Sequence, residues 1–95
     1  MNSKIMELLD GERKYQDTRW DNDPDTKRQK DKEKVVADWL TYMEEHLKRA
    51  KLAVYNLNPL DAMGEVRKIT ALGVAAMENL DTPFRSDVWE GVKTK

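Results

Sequence analysis

The chain has 95 residues, 37% of them charged and 39% hydrophobic, with a formal net charge of −1. One domain of this size buries roughly 60–70% of the surface its unfolded chain exposes, and so balanced a charge gives no overall pull toward nucleic acid or an acidic membrane. With no cysteine and a single histidine, His46, disulfides and thiolate metal centres are excluded, and one chain cannot build a histidine-based zinc site.

A first helix is expected over 3–20, where Ile5, Leu8, Leu9, Glu12 and Tyr15 recur at helical spacing and Ser3 is placed to act as N-cap. Its apolar stripe is thin, and Gly11 costs a helix interior about 1 kcal/mol relative to alanine, so this helix must depend on its neighbours. Residues 21–32, DNDPDTKRQKDK, contain Pro24 and no apolar side chain, the mark of a solvated loop. Asp21, Asp23 and Asp25 have the spacing of the first EF-hand ligands. The rest of that pattern fails, because Thr26 stands where its glycine belongs and Lys32 where its bidentate glutamate does.

The second helix is expected over 33–57. Val36, Leu40, Met43, Leu47, Ala50, Val54 and Leu57 alternate steps of four and three, the rhythm of a narrow apolar seam, which Val35, Trp39, Tyr42 and Ala53 widen on one flank. Asn56-Leu57-Asn58-Pro59 then supplies a stop, an N-cap and a proline for the first helical position. The third helix follows over 59–80, with Ala62, Val66, Ile69, Gly73, Ala76 and Leu80 in the same rhythm.

The expected fold class is therefore all-α, a single domain over 1–95 made of a long antiparallel helical hairpin and a shorter N-terminal helix. Segment 71–77 is apolar on every side and must be covered all round. Its small residues Ala71, Gly73, Ala75 and Ala76 suit close approach of a second chain, so a homo-oligomeric bundle built on this segment is expected. Asp81-Thr82-Pro83 ends the helix, and Phe84, Val88 and Trp89 give the tail, 81–95, an apolar group expected to strap over the hairpin. The first residues carry no basic segment followed by an apolar run, and no apolar run approaches the roughly 20 residues that span a bilayer, so a cytoplasmic location is expected.

The candidate binding residues follow from the bend. With the turn centred on Asn58, Lys48 faces Lys68 and Arg49 faces Arg67, and four cations in one layer suit a phosphate or carboxylate. The plainer reading is an ordinary surface held by the i,i+4 pairs Glu44 to Lys48 and Glu45 to Arg49. Trp20, Trp39 and Tyr42 are the rings on which a nucleobase would stack. His46 has no companion nucleophile and reads as a surface side chain.

Residues 12–20, ERKYQDTRW, resemble the E-R-x-x-Q-D-x-K-W signature of small phage and prophage proteins related to the MazG-like nucleotide pyrophosphohydrolases, with Arg19 in place of the lysine. The likeness continues at Trp39-Leu40 and over 67–78, RKITALGVAAME. It implies an all-α oligomer whose E-E-x-x-E and E-x-x-D motifs bind magnesium and hydrolyse nucleoside triphosphates to monophosphates. Carried over, the implied Mg2+ ligands are Glu44, Glu45, Glu65 and Glu78. The pattern departs at Lys48, the third acidic position of the first motif, and at Lys68, which closes Glu65-Val66-Arg67-Lys68. Glu78-Asn79-Leu80-Asp81 keeps the letters but lies at the helix end, far from Glu44 and Glu45 in the hairpin register. A lysine at a ligand position repels the ion.

Three functions remain in view. They are a Mg-dependent pyrophosphohydrolase, a non-catalytic binder of a nucleotide or similar phosphate-bearing ligand that sequesters a host nucleotide signal, and an adaptor or inhibitor of a host protein. General nucleic-acid binding ranks below all three, because the cations are interleaved with acids.

Overall fold

A computed structural model describes residues 1–19 and 33–85. These form three α-helices and no strand: α1, Ser3–Arg19; α2, Val36–Tyr55; and α3, Pro59–Asn79. The loop read at 21–32, Trp20, and the Val88 and Trp89 of the tail lie outside the described residues. None of the described helices is long and apolar enough to cross a membrane.

Asn2, not Ser3, caps α1: its Oδ1 accepts the Ile5 N–H at 2.9 Å, and Ser3 is already the first helical residue. α2 starts three residues later than its pattern suggests. Its entry is fixed by Asp38, whose carboxylate accepts the Val35 N–H at 2.9 Å and whose charge suits the positive end of the helix.

The exit of α2 closes with paired bonds, Leu57 N–H to Val54 C=O at 3.0 Å and Asn58 N–H to Ala53 C=O at 2.8 Å. This is the Schellman arrangement, which needs one left-handed residue and normally takes glycine there. Leu57 fills it, at φ 59°. Asn58 then caps α3 through Oδ1 to the Asp61 N–H, with Pro59 in the first turn, as the sequence indicates.

α3 is the centre of the molecule, since both α1 and α2 pack on it. Its contact with α2 carries His46 Nδ1 to Glu65 Oε1 at 2.7 Å, and Met43 Cε lies 3.9 Å from where a Gly73 Cβ would stand. On α2 the covered positions are Trp39, Met43, His46, Ala50 and Ala53. They keep the expected four-three rhythm but share only Met43 and Ala50 with the expected seam. Val36, Leu40, Leu47, Val54 and Leu57 are exposed instead, so the true contact line is turned by roughly a sixth of a turn.

Part of the all-apolar stretch of α3 is covered within the chain. Ala71 is fully buried and Ala75 nearly so within one chain. They share a face with Arg67 and Glu78, both of which bond to α1. The first helix thus covers one face of the segment, while Met77 at its end is exposed. Phe84 is 97% exposed and straps nothing.

Leu57 packs on almost nothing, being 88% exposed, while its left-handed backbone costs an L-residue about 1–2 kcal/mol. Leu57→Gly is therefore expected to raise stability by about 0.5–1 kcal/mol after the greater unfolded-chain entropy of glycine is counted, and Leu57→Val to lower it. Urea unfolding followed by circular dichroism checks both; a Leu57→Gly protein no more stable than the parent would contradict the strained bend.

Candidate anion-binding groove

Next to the bend, α2 and α3 flank an open groove of about 620 Å³, lined by Arg49, Leu52 and Ala53 from α2, by Asn56 just past its end, and by Leu60, Asp61, Gly64, Glu65, Arg67 and Lys68 from α3. That volume falls within the range of small-molecule sites. The apolar side chains crowd toward the bend, and the cations sit roughly one to two turns further from it.

Three of the four cations expected to share a layer line this groove; Lys48 does not. Lys48 is exposed because it follows the buried face by two residues and points elsewhere on the helix. The other three are already in ion pairs. Arg49 Nη2 is 3.7 Å from Glu45 Oε1, beyond hydrogen-bonding distance. Lys68 Nζ is 3.4 Å from Glu65 Oε2. Arg67 donates Nε–H to Glu12 Oε1 at 2.9 Å, and its two Nη groups make no hydrogen bond to any described residue. A guanidinium held at Nε with both Nη groups free is oriented yet still able to donate to an anion.

What orients it is a carboxylate that the sequence placed in an apolar stripe. Glu12 is only 8% exposed, the one buried charged residue described. Its neighbour Arg13 reaches α3 as well, with Nη2 and Nε donating to Glu78 Oε1 at 2.8 and 3.1 Å, while Nη1 donates to Gln16 and Asp17 of its own helix. Glu12, Arg13, Gln16 and Asp17 thus form one polar clamp that ends on Arg67 and Glu78 of α3. Neither Glu12 nor Arg13 stood out as a site residue by type. The available signal was position, a carboxylate where the helical period calls for an apolar side chain.

The implied metal ligands do not gather. Glu44 is exposed, Glu45 faces Arg49, Glu65 lies between His46 and Lys68, and Glu78 accepts from Arg13. Among the described residues no three His, Asp or Glu side chains group as a cation site. Magnesium needs several converging oxygens, and here each of Glu45, Glu65 and Glu78 is turned to a basic side chain instead.

His46 is half-buried against Glu65, not a free surface side chain. Burial pushes the Glu65 carboxyl up, but the His46 hydrogen bond and the charge of Lys68 outweigh it and hold the group below its ordinary value of 4.5. As the carboxylate can only accept, His46 Nδ1 carries the shared hydrogen.

Trp39 and Tyr42 stand apart from the cations of the groove. Trp39 is buried, meets Tyr42 edge-on with centroids 6.4 Å apart, and has the Lys34 ammonium 5.3 Å from its ring centre. It lies ten residues before Arg49, roughly 15 Å along the helix. Neither Trp39 nor the exposed Tyr42 lines the groove, so the apolar wall available to a ligand there is Leu52, Ala53 and Leu60.

Comparison with known proteins adds no relative: no family model, no curated protein and no solved structure matches this chain.

Two outcomes follow from the charges. Arg67→Ala leaves the buried Glu12 carboxylate without its partner and should cost about 1–3 kcal/mol in urea unfolding, while adding Glu12→Leu should recover part of the loss. A double variant less stable than Arg67→Ala alone would show that the pair is not coupled. For Glu65, a folded pKa below its unfolded value means that the stabilisation is complete above pH 4.5 and is lost as pH falls through the folded value. The melting temperature should drop on acidification more steeply in the parent than in Glu65→Gln, and parallel curves would refute the assignment.

Proposed function

We propose that α2 and α3 form an antiparallel hairpin whose groove binds a phosphate-bearing ligand of the nucleotide class, in a helical oligomer akin to the MazG-like proteins, without hydrolysing it. The observation that carries this reading is the shared lining of one groove by Arg49, Arg67 and Lys68, with Arg67 held so that its Nη donors remain available. Asp61 and Glu65 line the same groove, leaving a surplus of one positive charge. A ligand with a compact anionic group and an apolar or aromatic body fits that division, its phosphate toward the arginines and its base toward Leu52 and Leu60.

Binding is favoured over pyrophosphohydrolysis because Glu44, Glu45, Glu65 and Glu78 are dispersed among separate ion pairs and solvent. In the phage setting that the resemblance implies, such a protein would withdraw a host nucleotide signal from its receptor. A second reading, an adaptor for a host protein, draws support from Tyr55, Leu57, Leu60 and Met63, all exposed around the bend.

Calorimetry of the whole chain against ATP, GTP and cyclic dinucleotides tests the first reading. At least one should bind, and Arg49→Ala, at an exposed side chain on which the fold does not depend, should weaken it roughly 10- to 100-fold, the worth of a charge-assisted hydrogen bond. Absence of heat with every nucleotide would remove the proposal. With Mg2+ and ATP no pyrophosphate should appear; release that vanishes in Glu45→Ala would replace binding by hydrolysis.

A further inference from the structure

The bend that joins α2 to α3 is apolar on every side. Leu52, Val54, Tyr55, Leu57, Leu60 and Met63 are between 60% and 88% exposed, and from 52 to 63 the one charged residue is Asp61. Leu52 and Val54 stand two residues apart on α2, roughly 160° round its axis, so these side chains surround the bend and do not form one face. The backbone is closed there as well. The N–H groups of Asn56, Leu57 and Asn58 donate to the carbonyls of Leu52, Val54 and Ala53, and Pro59 has no N–H to leave unpaired. The Asp61 carboxylate accepts from the Asn58 side-chain amide at 2.8 Å, at the positive end of α3.

Behind the bend the charge departs from that of the whole chain. From 48 to 68 the cations Lys48, Arg49, Lys51, Arg67 and Lys68 stand against only Asp61 and Glu65, in a chain of net charge −1. Arg67 and Lys68 are engaged by Glu12 and Glu65. Lys48 and Lys51 are exposed and form no ion pair or hydrogen bond with any described residue, and Arg49 meets Glu45 only at 3.7 Å. Arg49 and Lys51, again two residues apart, point to opposite sides of α2. These three cations of α2 precede Leu57 by six to nine residues, which sets them back roughly 9–14 Å along the helix.

An apolar tip behind which unpaired cations are gathered matches a boundary with hydrocarbon inside and anions outside. A protein pocket covers one side of a helix, whereas apolar side chains exposed all round suit a fluid that closes about them. The setback of the cations is close to the depth of roughly 5–10 Å to which interfacial segments sink, once the reach of a lysine stem is allowed for. We infer that the bend dips into the interfacial layer of an anionic membrane, with Leu57 and Leu60 at the acyl boundary and Lys48, Arg49 and Lys51 on lipid phosphates. Seating of this kind needs no spanning helix. It rests on the hairpin and not on the nucleotide: Lys48, Lys51 and Leu57 lie outside the groove lining, so either reading can hold where the other fails.

Co-sedimentation of the whole chain with vesicles tests it, one set of phosphatidylcholine alone and one of phosphatidylcholine and phosphatidylglycerol in equal parts. The parent should sediment with the anionic set, less so as salt is raised, and hardly with the neutral set. Lys48→Gln with Lys51→Gln should weaken partition roughly 10- to 30-fold, from the loss of two surface cations. Leu57→Asp should weaken it as well while circular dichroism shows the helices kept, because aspartate tolerates a left-handed backbone better than leucine. If Leu57→Asp unfolds, a label decides. The chain has no cysteine, so a polarity-sensitive dye on Leu60→Cys reports that point alone, and its emission should shift to the blue on anionic vesicles while the same dye on Glu44→Cys stays unmoved. No sedimentation with anionic vesicles, equal binding to neutral ones, binding indifferent to the substitutions, or an unmoved dye at position 60 would each overturn the inference. So would a solution mass above one chain, without lipid, that falls in Leu57→Asp, since it would give the bend to a second copy. Retention of a lysate protein by a chain that ignores vesicles, lost in Leu57→Asp, would give it to the adaptor reading.

Discussion

The arrangement of the helices depends on one buried charge. In the α1 contact Ile5 and Leu8 stay partly exposed and Leu9 is half-buried, and the side-chain hydrogen bonds to α3 come from Glu12 and Arg13. A carboxylate removed from water is costly unless it is paired, and removing its partner costs more than the pair itself contributes. Glu12 therefore fixes where Arg67 must be, and with Arg13 and Glu78 it sets the height at which α1 lies along α3. Ala71 and Ala75, which have too little side chain to attract a neighbour on their own, are then covered by a helix positioned through its ions.

That division of labour explains which parts of the molecule were legible in the sequence. The helices and the bend follow from local chemistry, and Asn58 with Pro59 marks the start of α3 to the residue. The contact face of α2 was readable only as an arc. Apolar side chains run from Val36 round to Ala53, and periodicity cannot say which part of so wide an arc meets a neighbour. The chosen line left out His46, a polar residue that enters the contact because Glu65 is there to receive its hydrogen bond. Pairings across 19 or 55 residues leave no trace in local spacing.

The groove was partly visible for the same reason. Equal distances from Asn58 brought Arg49, Arg67 and Lys68 together on paper, and all three do line one cavity. Lys48 was grouped with them by height alone; its direction about the helix axis separates it. Trp39 failed as a stacking ring on direction too. Trp39 is consumed by the α2–α3 contact and by Lys34, so an indole that reads as a stacking surface is in fact core. Where side-chain direction matters, counting residues from a turn is insufficient.

One guanidinium serves two masters. Because Arg67 holds Glu12 by Nε and also lines the groove, whatever occupies the groove shares a residue with the joint that docks the N-terminal helix. Occupancy and docking are then thermodynamically linked, as binding to the folded state alone always is. The free energy of any anion seated there would register as a change in the closure of a helix whose own contacts lie on the far flank of α3.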